Sequence, residues 1–199
     1  MPTDIETSTA LKHMFDTALL KRISSSVSSV YPKFNAKSFM QIASALQKLE
    51  MKPRALLIRD QLRKNLPEDY PKALDILLSS LEKDTLSGFD LWPYTEYVQT
   101  YGLDHLQISL NALQKMTPRF TAEWAIRPFI TKYPKETMKF LLQCTHSRDE
   151  HVRRWASEGT RPRLPWGSRL QNFIKDPSPT LIILEELKFD ESLYVRKSV

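Results

Sequence analysis

Two glutamates, a tryptophan and a group of arginines are the residues whose types and spacing could do chemistry in this chain. Glu158 stands in the run His151-Val-Arg-Arg-Trp-Ala-Ser-Glu-Gly-Thr-Arg-Pro-Arg-Leu-Pro-Trp166. Val152 to Glu158 reads as a helix that Gly159 ends, and Pro162 and Pro165 forbid its continuation and stiffen the connection. A carboxylate in the last turn meets the negative end of the helix dipole, at a cost of about 0.3–1 kcal/mol. Arg154 lies one turn earlier on the same face, and Arg161 and Arg163 follow closely. A carboxylate held among arginines, beside a rigid loop presenting Trp166, could stabilise a developing cation and orient a water. The ordinary alternative is an Arg–Glu ion pair beside a core tryptophan.

A second carboxylate, Glu123, lies in Thr117-Pro-Arg-Phe-Thr-Ala-Glu-Trp-Ala-Ile-Arg-Pro-Phe129. Thr117 and Pro118 suit a helix start, and Pro128 must kink or end that helix. Glu123 can pair with Arg119 or Arg127, four residues to either side. Trp92, Trp124 and Trp155 read as core. Cys144 lies in an apolar helix and His146 points elsewhere, so a Cys–His nucleophile would need another histidine brought in by the fold. A single cysteine excludes an intramolecular disulfide and a multi-cysteine metal site, and the four histidines show no H-E-x-x-H spacing. No glycine-rich phosphate cradle and no G-x-S-x-G elbow occurs. Neither a metal nor a cofactor is expected.

The charge is uneven. Lys and Arg number 29 against 23 Asp and Glu, a net charge of +6. Between Lys115 and Leu170 twelve bases face five acids, so the whole excess belongs to that segment. Arginine's planar fork grips phosphate with two parallel bonds, so Arg127, Arg148, Arg153, Arg154, Arg161 and Arg163 read as contacts to a polyanion. The bland alternative is a solvated face with ion pairs to Asp149 and Glu150.

The elements that must position these residues are helices. Leu11, Met14, Phe15, Ala18, Leu19 and Ile23 form a stripe at helical period. Phe39, Ile42, Ala43 and Leu46 repeat it behind a candidate N-cap, Asn35. Pro53–Asn65 and Asp69–Leu81 come next, then Trp92–Gly102 and a helix capped by Asp104. No stretch alternates at period two between turn signals, so the chain is expected to be all-α. The second half repeats itself. An apolar helix followed by Asp149-x-x-Val152-Arg153-Arg154 recurs as one followed by Ser192-x-x-Val195-Arg196-Lys197, 43 residues later. That is the period of two-helix HEAT repeats, whose stacking builds a right-handed solenoid with a concave binding face. The expected organisation is a single domain over residues 1–199, with N-terminal helices to about 102, site-bearing repeats from about 103, and a last repeat that stops short at Val199. At 41% hydrophobic and 26% charged, the chain offers no membrane span. The polar run MPTDIETSTALK predicts no secretory signal.

The runs LKHMFDTALLKRIS, GLDHLQISLNALQKMTPRFTAEWAIRPFI and EHVRRWASEGTRPRLPW resemble the AlkC group of HEAT-like-repeat alkylpurine DNA glycosylases. The resemblance implies a helical solenoid that bends duplex DNA and excises 3-methyladenine, with Glu123, Glu158 and Trp166 at the active site. It further implies a monomer of the bacterial cytosol and nucleoid, needing no cofactor, whose partner is duplex DNA with alkylated bases. The group's pattern includes another catalytic Asp beyond SLYVRKSV. Two other readings stay open, a non-catalytic DNA-binding HEAT protein and a HEAT scaffold for other proteins.

Overall fold

The computed structural model describes residues 11–84 and 86–199, and among these every regular element is helical. The first ten residues of the run read as lacking a secretory signal lie outside the described residues. No helix among the described residues is long and apolar enough to cross a membrane. The chain divides into two compact units, one ending at Tyr97 and one running from Val98 to Val199.

In the first unit, Asp16 caps α1 (Thr17–Val30) by accepting from the Leu19 amide at 2.8 Å, and Leu19, Leu20, Ile23 and Val27 form its buried stripe. The stripe expected over residues 39–46 splits into α2 (Ala36–Met40), capped by Asn35 as read, and α3 (Ala43–Leu46). Next come α4 (Met51–Asn65) and α5 (Tyr70–Lys83), the latter capped by Asp69. Helix α1 packs on α5, whose Leu74, Leu77 and Leu81 are buried, and Ser26 Oγ on α1 donates to the Ser80 carbonyl at 2.6 Å. Buried Arg54 spends its guanidinium on the carbonyls of Lys12, Phe15, Gln47 and Leu49, all within 3.3 Å. The boundary between the units falls inside α6 (Trp92–Tyr101), which opens with Pro93 in its first turn as expected.

The second unit runs through α7 (Leu106–Met116), α8 (Arg127–Lys132), α9 (Pro134–Cys144), α10 (Glu150–Thr160), α11 (Gln171–Lys175), α12 (Ser178–Leu187) and α13 (Leu193–Ser198). Asp104 does not cap α7. His105 holds that position without a side-chain bond, and Asp104 instead pairs with Lys132 at 2.5 Å. No helix forms over residues 117–126, which run as turns. Inside a helix Pro128 would lack its N–H and clash with the carbonyl four residues back, so it opens α8 rather than ending its predecessor.

The repeat is present: α9 with α10, then α12 with α13, each second helix burying its valine, Val152 and Val195. Helix α10 packs against α8, α9, α12 and α13. Residues 152–160 are therefore buried except Arg154, although the segment carries Ser157, Glu158 and Thr160. Asp149 caps α10 by accepting from the His151 and Val152 amides at 2.8 and 3.3 Å.

Arg153 ties the two repeats together. Its Nε and Nη2 donate to the two oxygens of Asp190 at 2.7 and 3.0 Å, with the side chains only 9% and 6% exposed. Its Nη1 donates to the carbonyls of Ser147 and Arg148. Reading Arg153 as a phosphate contact is thus corrected, because its donors are taken up inside the fold. Removing Asp190 leaves that guanidinium only the exposed Glu191 carboxylate at 3.4 Å, so Asp190→Ala should cost about 3 kcal/mol in urea unfolding. The bond from Arg153 holds the Asp190 carboxyl below its ordinary 3.8. The stability from this lowering is complete above 3.8 and disappears as pH falls through the lower folded value. Between about pH 5 and about pH 2, wild-type stability should fall more steeply than that of Asp190→Asn.

Candidate active site

Glu158 sits on α10 and is 5% exposed. Its Oε1 accepts from Arg161 Nη1 at 2.5 Å. Its Oε2 accepts from Ser198 Oγ at 2.7 Å and lies 3.5 Å from Arg154 Nη2. The close packing of α10 depends on the next residue. Gly159 does not end the helix, which continues to Thr160; a Cβ on it would stand 2.7 Å from Ile126 Cγ2. The glycine lets α10 lie directly against the branched Ile126 side chain, with the Glu123 backbone 3.9 Å away.

Glu123 is 8% exposed. Its Oε2 accepts from Thr121 Oγ1 at 2.9 Å and from Arg154 Nη1 at 2.8 Å. The expected partners, Arg119 and Arg127, do not bond it, because the segment is not helical and the four-residue spacing does not hold. Arg154 therefore bridges both carboxylates with one guanidinium, which also lies 4.9 Å over the Tyr194 ring. Held in this way, Arg154 is a member of the cluster.

Arg127 changes role completely. It is wholly buried, and its fork donates to the carbonyls of Gly159 at 3.1 Å, Arg161 at 2.7 Å, Pro162 at 3.1 Å and Ser168. Burial pushes its guanidinium down to about 10, so it is still a cation at neutral pH. Like those of Arg153, its donors are taken up inside the fold, and the reading as a phosphate contact is corrected. Arg119, Arg148, Arg161, Arg163 and Arg169 are the exposed arginines of this segment.

The loop gripped by Arg127 carries Trp166, 58% exposed with its backbone at φ 63°. A left-handed tryptophan is uncommon and costs of order 1–3 kcal/mol. That exposure removes the core-tryptophan alternative. Trp124, read as core, is only half buried. Its Nε1 donates to the Pro165 carbonyl at 3.0 Å and its ring centroid lies 5.9 Å from that of Trp166. Trp92 and Trp155 are core as read. Burial pushes the Cys144 thiol up to about 12, which leaves it a poor nucleophile.

Sequence reasoning missed Ser198, Tyr194 and Trp124. The 43-residue repeat held a signal for two of them. Counting forward from His151 and Trp155 on α10 reaches Tyr194 and Ser198 on α13. The His151 and Tyr194 rings meet edge to face at 5.4 Å, and Ser198 Oγ lies 2.6 Å from Ser157 Oγ. Equivalent positions of adjacent repeats thus converge on Glu158. Chemically, the arrangement presents two carboxylates balanced by arginines next to an exposed aromatic face, suited to stabilising a cation.

No protein-family model matches the chain. Over 192 residues it is 41% identical to the uncharacterized protein YhaZ of Bacillus subtilis (strain 168), covering 95% of this chain and 53% of YhaZ. It is also similar to the Pseudomonas fluorescens alkylpurine DNA glycosylase AlkC, solved bound to DNA containing an abasic site analog. That likeness has a TM-score of 0.88 at 40% identity and covers 95% of this chain and 53% of AlkC. The chain spans about half the length of the relatives it matches. By sequence and by fold, the chain is similar to about half of AlkC, and that similarity extends across 95% of this chain.

Proposed function

We propose that the chain carries the base-release site of a DNA glycosylase that hydrolyses the N-glycosidic bond of cationic alkylated purines, 3-methyladenine foremost, in duplex DNA. The observation that carries this reading is the buried Glu123–Arg154–Glu158 cluster, with exposed Trp166 against Trp124, the neighbour of Glu123, in a chain similar to AlkC. Alkylation at N3 gives adenine a positive charge, so the base departs neutral and needs no proton from the protein. What is left to catalyse is formation of an oxocarbenium-like sugar and its capture by water, as in glycoside hydrolysis. Carboxylates fixed before the reaction serve both needs, by electrostatic stabilisation of the cation and by accepting a proton from the water. The face of Trp166 attracts the cationic base with about 0.5–2 kcal/mol.

The ion pairs also give DNA a means of arming the site. Arg161 has a side chain 48% exposed and sits on Glu158 Oε1. Phosphate oxygens compete for that guanidinium, and its departure turns Oε1 toward the sugar. Arg154, held by Glu123 and Tyr194, stays behind as the remaining counter-charge. Arg148, Arg163 and Arg169, all exposed, supply the contacts to the backbone of the duplex.

Duplex binding should be sequence-tolerant and fall steeply with salt, with a log–log slope near −0.9 per phosphate neutralised. Reversing Arg163 and Arg169 to Glu should weaken it for all sequences alike and flatten that slope; salt-indifferent affinity would point to a protein scaffold instead. The sharper test is Glu158→Gln. The change keeps the side chain's shape, should cost about 1–3 kcal/mol through weakened charged hydrogen bonds, and leaves duplex affinity undiminished. Single-turnover release of 3-methyladenine, followed by chromatography of freed bases, should drop roughly 100-fold or more. Release at the wild-type rate would return Glu158 to an ordinary ion-pair partner.

A further inference from the structure

Arg127 is an odd residue to bury. Four donor–acceptor contacts satisfy its fork, yet every acceptor is a backbone carbonyl and no described carboxylate is bonded to it. Glu123 acts on it through its charge without a bond, and a buried cation lacking a bonded counter-ion is expensive, so its geometry must supply something that cheaper residues do not. Two of its acceptors, the Gly159 and Arg161 carbonyls, belong to the end of α10 just after Glu158. The other two, from Pro162 and Ser168, lie either side of Trp166. One planar group therefore spans the distance between the carboxylate and the aromatic face.

Besides Arg127, Trp124 also supports the loop, through its bond to the Pro165 carbonyl and its ring against Trp166. The loop's own backbone bonds run from the Gly167 amide to Leu164 and from the Leu170 amide to Pro162, both at 3.1 Å. Trp166 is nevertheless held in a left-handed conformation, which persists only where the surroundings over-determine it. Gly167 allows the loop to lie directly on its support, since a Cβ there would stand 3.2 Å from both Arg127 Cδ and Trp124 Cδ1.

We infer that Arg127 is the positioning residue of the site, setting where the Trp166 ring stands relative to Glu158. The inference rests on the base-release reading above for its consequence in catalysis, and on geometry alone for the position of Trp166. Lysine at 127 keeps the charge but offers a single point instead of a fork. A displacement of about 1 Å at a reacting centre can cost on the order of 100-fold in rate.

The experiment compares Arg127→Lys, Trp166→Ala and the double variant in the full chain. Arg127→Lys should bind undamaged duplex within about threefold of wild type while its single-turnover release of 3-methyladenine falls roughly 10–100-fold. The double variant should be no slower than Trp166→Ala alone, because residues acting through one another do not add. Iodide quenching of tryptophan fluorescence, with Trp166→Phe chains as reference, reports the Trp166 ring directly, and Arg127→Lys should change its contribution. Losses that multiply in the double variant, or quenching that does not change, would overturn the inference. If the wild type releases no base, the base-release reading fails, and the quenching alone decides whether Arg127 sets the ring. Should Arg127→Lys not fold, Gly167→Ala lifts the same loop and must show the same non-additivity and quenching change.

Discussion

One guanidinium shared between two buried carboxylates is the constraint around which the second unit is built. Glu123 and Glu158 are each less than a tenth exposed, and burying both without cations would cost several kcal/mol apiece. Arg154 bonds one at 2.8 Å and approaches the other at 3.5 Å, and Arg161 completes the balance. Meeting that demand fixes the neighbours. Helix α10 has to lie directly against the Ile126 side chain, which requires Gly159. The following repeat has to bring Tyr194 under Arg154 and Ser198 onto Glu158.

The parts legible in the sequence are those governed by short spacings. Asn35 caps the helix that comes after it because an N-cap acts over three residues. Arg154 and Arg161 reach Glu158 because they lie four residues before it and three after it. The 43-residue repeat is legible because stacked helix pairs bury the same valine in each. What escapes is non-local. The Arg154–Glu123 bond spans 31 residues, and no pattern at helical spacing encodes it. The 117–126 segment escapes for a different reason. Thr117 and Pro118 look like a helix start, but Thr117 Oγ1 instead bonds the Leu113 carbonyl at the end of α7.

The arginines show how far charge counting reaches. In the sequence they form one basic segment, whereas the fold sorts them by what their donors meet. Arg127 and Arg153 are internal braces, Arg154 belongs to the carboxylate cluster, and five of the segment's eight arginines stay exposed. Arginine serves all three purposes because its planar fork fits carbonyl clusters, carboxylates and phosphates alike.

Trp166 sets stability and use against each other. Its left-handed backbone suits glycine or asparagine better than an aromatic side chain, so either would relax the loop. More than half of its surface faces solvent, and little of the hydrophobic gain of a buried ring offsets the strain. Selection for a tougher protein alone would therefore erase this tryptophan early, since such gains are commonly made at strained positions. A lineage that keeps it accepts a weaker fold in exchange for what the ring does.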